Sequence, residues 1–221
     1  MRGRTVPPAG TPPRHELLRG IYERQFRELA PLRRHVLSLL PLSGVGTIFE
    51  PGCGTGLLTR ELSGFTGIPC TGMDIDGDIL PRGDGFILGD AEKDPLQADL
   101  YVTGFFFSSL RDPAGWLKRA RTGLFCVFSE YDYMRTRERP FRNLSERLRS
   151  GLEKDGLFTE HGGRLDEYFG RAGFTRLSGG HSDGGFRTPD AEFLSMHVPN
   201  LEKELPLMSW RVVWGIWRKA R

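Results

Sequence analysis

Cysteine is scarce. The 221 residues hold three, Cys53, Cys70 and Cys126, an odd number without CxxC or Cys/His ligand spacing, so neither a disulfide framework nor a structural zinc site is indicated. A reducing compartment is the default. Long apolar runs are missing too: no stretch of about 18 residues is free of charge, and the first fourteen residues lack the apolar segment of a secretory signal. Neither a membrane span nor export is expected, and the location reads as cytoplasmic. Charge of one sign is also lacking, since 31 Lys plus Arg stand against 28 Asp plus Glu. A net charge of +3 gives no strong electrostatic argument for a nucleic-acid partner, whose footprint is a concentrated basic face, and does not exclude one.

What is present is bulk for a core and a change of period along the chain. Fifteen Phe, 5 Tyr and 4 Trp supply large buried area, which argues for a folded domain. Residues 1–14, with four prolines and three arginines, read as a flexible tail, and residues 15–221 as one domain. From His15 to Leu40 apolar residues recur at three- and four-residue spacing, which predicts an N-terminal helical addition over 15–41, divided at Pro31. Short apolar runs follow at Thr47–Glu50, Thr71–Met73, Phe86–Leu88, Leu100–Thr103, Leu124–Phe128, Phe174–Leu177 and Val212–Trp217. Crossovers separate them, the pattern of an α/β fold with a mostly parallel sheet covered by helices on both faces. Candidate helices are Leu57–Leu62, Pro113–Arg121, Leu144–Glu153 and Leu165–Ala172. Residues 181–207 mix Gly, Pro and apolar residues as a lid insertion would.

The most informative stretch is Glu50-Pro-Gly-Cys-Gly-Thr-Gly56, between a strand and a helical pattern. Glycines permit positive φ and remove side chains, so backbone atoms and a helix start can meet a polar ligand. A dinucleotide fingerprint fails because Leu57 stands where its third glycine belongs, and no Lys-Ser/Thr pair completes a phosphate loop. An acid before the glycines suits an amino-bearing cation better than a pyrophosphate.

Here the chain resembles the class I S-adenosylmethionine-dependent methyltransferases, whose first motif, (E/D)xGxGxG, is matched by Glu50, Gly52, Gly54 and Gly56. The likeness continues with Thr71-Gly-Met-Asp-Ile-Asp76, Gly89-Asp-Ala-Glu-Lys-Asp94 and the fourth-strand region from Ala98 to Leu110. The resemblance implies a Rossmann-like seven-stranded sheet with an antiparallel last strand, and S-adenosylmethionine as cofactor. It implies Asp74 at the ribose hydroxyls, Asp90 and Ala91 at the adenine, and Thr103 to Phe106 near the transferable methyl. Cys53 and Ile75 are expected at the cofactor, Cys53 as a small filler of the glycine loop, and the adenine face is expected to be covered by Ile75, Ile79 or a neighbouring loop, or to be unusually open. One departure stands out: between Asp74 and Asp90 there is room for barely one helical turn. The run Asp74-Ile-Asp76-Gly-Asp78 fails the cation-loop pattern, and no metal is expected.

Methyl transfer needs a base only where the acceptor is protonated. Tyr22, Tyr131, Tyr133, His181 and His197 are candidates; His181 ranks first, ahead of His161 and His197, and Tyr22 is carried with it as catalytic. Residues 130–142, rich in Arg and aromatics after the fifth strand, and the 181–207 insertion are expected to build the acceptor pocket. Without an Asn-Pro-Pro-Tyr tetrapeptide after strand four, a small-molecule O- or N-acceptor is favoured. A protein or RNA acceptor and a non-catalytic cofactor-binding module are the alternatives, with a dehydrogenase behind them.

Overall fold

The computed structural model describes residues 14–136, 142–182, 186–187, 190–201, 205 and 208–220. The predicted tail lies outside them, as do parts of 130–142 and 181–207 and the side chains of Tyr131 and Tyr133. Among the described residues there are eight strands: β1 (Ile48–Pro51), β2 (Cys70–Asp74), β3 (Phe86–Leu88), β4 (Leu100–Thr103), β5 (Leu124–Thr136), β6 (Phe174–His181), β7 (Phe186–Arg187) and β8 (Met208–Lys219). Seven helices join them: α1 (Arg14–Glu28), α2 (Ala30–Ser38), α3 (Leu57–Thr66), α4 (Pro113–Arg119), α5 (Arg142–Lys154), α6 (Leu165–Arg171) and α7 (Ala191–His197).

Seven strands form one sheet in the order β3-β2-β1-β4-β5-β8-β6, and the two-residue β7 pairs with β8 off that path. Strands β1 to β5 pair in parallel, and β8 runs antiparallel to β5 and β6. Alternation along the strands sorts side chains to two faces. Phe49, Tyr101, Phe125 and Trp217 pack with Trp116 of α4 and Phe169 of α6. Their neighbours Ile48, Leu100, Val102, Cys126 and Ile216 pack with Val36 and Leu37 of α2 and Leu58 and Leu62 of α3. A third cluster joins α1, α5 and α7 through Ile21, Leu148, Leu152, Phe193 and Leu194.

The N-terminal helices divide two residues before Pro31. The break falls at Leu29, and the proline sits in the first turn of α2, where its missing N–H costs nothing. Strand β6 runs four residues past its expected end at Leu177 because Ser178 to His181 bond into the β8 ladder. The 181–207 insertion is more ordered than a loop reading implies, since it carries β7 and α7. The shortened crossover after β2 is as expected: amides of Ile79 and Leu80 donate to the Asp76 carbonyl in a single turn, with no helix before β3.

Candidate active site

Three glycines make the turn that follows β1. Gly52, Gly54 and Gly56 have φ of 66°, 51° and 68°, the left-handed region that strains a residue with a side chain. Space is as restrictive as angle at two of them. A Cβ on Gly52 would come within 2.5 Å of the Phe106 ring, and one on Gly56 within 2.3 Å of Phe86. Gly54 lies under Tyr22 of α1, whose ring would sit 3.5 Å from such a carbon. The turn is tied to β2 from two directions. Gly54 N–H donates to Asp74 Oδ2 at 2.7 Å, and Cys53 N–H donates to the Met73 carbonyl at 3.0 Å. Asp76 N–H donates to the other Asp74 oxygen at 2.9 Å, so the carboxylate is aimed by backbone on both sides.

Glu50 lies beneath the turn, 3% exposed, and accepts a hydrogen bond from the Thr59 hydroxyl of α3. Burial dominates its ionisation, pushing the carboxyl up to about 8; Thr59 opposes the shift and nearby Asp74 adds to it. Asp74 is raised as well, first by desolvation, with the amides of Asp76 and Gly54 pulling the other way. Burial lifts the Cys53 thiol far above its ordinary range, which disfavours the thiolate.

A cavity of about 550 Å³ opens over the turn and extends under α1 and α7. Glu50, Gly52, Cys53, Gly54, Asp74, Ile75, Asp90 and Ala91 all line it, as does Tyr22. Ile75 is 70% exposed at its edge, whereas Ile79 is buried within. Asp90 also caps the turn after β3: its Oδ1 accepts from Glu92 and Lys93 amides, and Lys93 Nζ lies 2.8 Å from Oδ2. That lysine, ahead of the other partners, holds the Asp90 carboxyl below its usual range.

Three sequence expectations are displaced. Thr103 is fully buried with an unpartnered hydroxyl and is not part of the lining; the next residues, Gly104, Phe105 and Phe106, are. Gly56 likewise stands behind the cavity wall, at the N-terminal boundary of α3. His181 pairs with Val213 in the sheet and lies away from the cavity, because β6 continues where a loop was expected. His197 lines the cavity instead, 2.8 Å from Asp155 through Nδ1. The signal for it was present: Asp190 accepts from the amides of Glu192 and Phe193, a helix N-cap that marks the start of α7. Phe193, within the 181–207 insertion expected to build the acceptor pocket, and Asp155, which was not foreseen, line this wall as well. No group of three or more metal-ligating side chains occurs among the described residues.

No protein-family model matches the sequence, and neither does any curated protein. Among solved structures the chain is similar to a Bacillus halodurans C-125 protein described as a methyltransferase, 12% identical, covering 85% of this chain and 98% of that one, with a TM-score of 0.63. It is also similar to a structure of the Haloferax volcanii Trm112 methyltransferase activator in complex with a protein described as a methyltransferase. That match is 16% identical and covers 91% of this chain and 92% of the other, with a TM-score of 0.58. A third is the cyclopropane synthase MmaA2 from Mycobacterium tuberculosis, 15% identical over 66% of this chain and 60% of that one, with a TM-score of 0.51. Together with the strand order and the reversed direction of β8 among the described strands, these similarities show the fold: the chain has the Rossmann-like fold of class I methyltransferases.

Proposed function

We propose that the chain transfers a methyl group from S-adenosylmethionine to a small-molecule acceptor. The observation that carries this reading is the charge of the cavity wall. Among the described lining residues six are acids, Glu50, Asp74, Asp76, Asp90, Glu92 and Asp155, against one guanidinium, Arg33, which is already paired with Glu61; of the six, Glu50 keeps its proton below about pH 8 while no cation is bound and Asp90 is paired with Lys93. A phosphate-bearing dinucleotide meets repulsion there, whereas a sulfonium with an ammonium group meets complementary charge. The volume, about 550 Å³, is within the range of small-ligand sites.

On this reading the Glu50 carboxylate and the bare Gly52 to Gly54 backbone receive the amino-acid end of the cofactor. Asp74 takes the ribose hydroxyls with the oxygen lone pairs its backbone donors leave, and Ile75, Ile79, Asp90 and Ala91 bound the base. The bound cofactor supplies an activated methyl group and its own neutral leaving group. Alignment and exclusion of water are the protein's share, and the apolar roof of α1 and α7 serves both. That roof favours a small molecule over RNA or protein: Arg24 of α1 reaches Asp190 at 2.7 Å and Glu192 at 2.5 Å, closing α1 against α7.

Calorimetry with S-adenosylmethionine tests the site. Asp74→Ala is expected to weaken binding at least about 10-fold, the cost of charge-assisted hydrogen bonds, with the denaturant midpoint checking that the turn survives. Retained affinity would sink the ribose assignment, and a melting temperature raised by nicotinamide dinucleotide but not by S-adenosylmethionine would replace the whole reading. A radiolabelled-methyl screen of metabolite pools against RNA and protein extracts decides the acceptor class.

A further inference from the structure

We propose that the methyl acceptor is a compact, uncharged aromatic molecule, seated under α1 and α7 against Phe105. The inference deepens the methyl-transfer reading and rests on it.

Phe105 has a φ of 59°, one of two positive values on a described residue other than glycine. For a bulky side chain this is a strained conformation, which persists only where neighbours over-determine it, and such residues gather at ligand sites. The neighbours are in place. The Ser108 hydroxyl donates to the Phe105 carbonyl at 2.5 Å, and Ser109 Oγ donates to the Phe106 carbonyl at 2.7 Å. The Phe158 amide donates to the Ser108 carbonyl, which joins this loop to the chain leaving α5. At this kink two successive rings part company. Phe106 packs on Gly52 of the glycine turn and on Trp116 of α4, whereas Phe105 packs with the cluster that joins α1, α5 and α7. Both residues line the cavity, one beside the turn and the other in the arm beneath α1 and α7.

The walls of that arm include Ile21, Phe26, Leu29, Leu152, Leu157 and Phe193. Its acid among the described residues, Asp155, is bonded to His197 at 2.8 Å. Arg33, the one Arg or Lys among the described lining residues, is bonded to Glu61 and the Phe26 carbonyl and lies over the Phe26 ring at 3.4 Å. Its charge is thus already met. An anionic acceptor would shed its hydration against apolar walls and face the acids of the turn as well. A cationic one would share a low-dielectric cavity with the positive charge of the bound cofactor. A neutral molecule meets neither obstacle. Size follows from the volume: about 550 Å³ must hold cofactor and acceptor together, in a range, ~300–1,000 Å³, that single drug-sized ligands fill by themselves. What the cofactor leaves suits a compact ring compound and not a long chain, and the rings of Phe26, Phe105 and Phe193 suit a flat one.

The probes are 2-naphthol, its saturated counterpart 2-decalol, the anion 2-naphthoate and the cation 2-naphthylmethylammonium. Each is titrated calorimetrically into protein saturated with sinefungin, which carries an ammonium in place of the sulfonium and has no methyl group to give. 2-Naphthol is expected to bind about 5-fold more tightly than 2-decalol through ring contacts, and at least about 10-fold more tightly than either charged probe. Phe105→Leu keeps apolar bulk without the ring, and should bring the preference over 2-decalol below about 2-fold. Phe105→Gly relieves the positive φ. Its urea midpoint should hold or rise, while 2-naphthol affinity falls about 10-fold and sinefungin affinity stays. Absence of 2-naphthol binding, or a decalol, naphthoate or ammonium probe that binds as tightly, would overturn the acceptor class. Displacement of 2-naphthol by sinefungin would put the probe in the cofactor's place and overturn the seat. Unchanged discrimination in Phe105→Leu, or unchanged 2-naphthol affinity in Phe105→Gly, would overturn the part given to Phe105. Failure of both S-adenosylmethionine and sinefungin to bind overturns the methyl-transfer reading instead, while cofactor-free titrations of 2-naphthol, 2-decalol and 2-naphthoate still decide what the arm admits.

Discussion

At the glycine turn, the cavity draws its side chains from residues 50–106 and ties them with backbone hydrogen bonds, such as Gly54 N–H to Asp74 and Asp76 N–H to Asp74. The arm beneath α1 and α7 draws on residues 18–33, 152–159 and 193–197, and is joined by side chains as remote in sequence as Arg24 and Glu192, 168 positions apart. The first arm is polar, acidic and intolerant of added atoms; the second is apolar and held by an exposed ion-pair cluster. The difference suits the two ligands proposed. A cofactor common to a fold is met by local, rigid backbone, while an acceptor is met by a roof assembled from distant segments that can vary or open without disturbing the turn.

The sharpest way to break that comparison is to put one carbon into the rigid arm. Gly56→Ala forces φ of 68° on a residue with a side chain and drives Cβ to 2.3 Å from Phe86. Strain and overpacking together should cost roughly 4 kcal/mol, read as a fall in the urea midpoint, with cofactor binding lost. A Gly56→Ala protein of wild-type stability and affinity would show that the turn yields as readily as the roof.

Second in size is a gain. Glu50 ionises near 4.5 in the unfolded chain but only near 8 when folded. Between those values the unfolded state is charged while the folded state keeps its proton, so stability falls as pH rises from about 4.5 to about 8 and levels off above. Glu50→Gln removes that penalty. The cofactor-free variant should be more stable than wild type at pH 8.5 by about 3 kcal/mol, no different at pH 4, and at least about 10-fold weaker for S-adenosylmethionine. Parallel stability curves for the two proteins would remove Glu50 from the electrostatic account. The buried acid is thus costly to the fold, a cost that the cation of the proposed reading would offset.

The same division governs what the sequence discloses. The motif from Glu50 to Gly56, the acids ending β2 and following β3, and the apolar strands β1 to β4 are all local patterns, and each falls within a residue or two of its expected place. Ser178-Gly-Gly-His181 reads as a loop because two glycines weaken a strand, but the β8 ladder captures it and Trp214 packs against Gly180. That capture is what moves His181 out of the site. His197 and Asp155 are separated by 42 positions and meet only through the bare face of Gly151, a contact no local spacing encodes. The resemblance of the fourth-strand region implies Thr103 at the cofactor; one residue of pleat turns its side chain into the core and gives the cavity to Gly104.

The smallest expected effect lies in the roof, and its smallness is the point. Arg24 is about a third exposed, and its pairs with Asp190 and Glu192 are screened by solvent. Arg24→Ala should therefore change global stability by less than about 1 kcal/mol. Yet those pairs are the polar tie between α1 and the start of α7, so amide exchange in residues 14–28 should quicken while β1, β2 and α3 keep their protection. Added salt should reproduce part of the effect in wild type and none in the variant. Exchange that quickened equally at the glycine turn would mean that the two arms open as one unit, and the roof would then be part of the rigid frame.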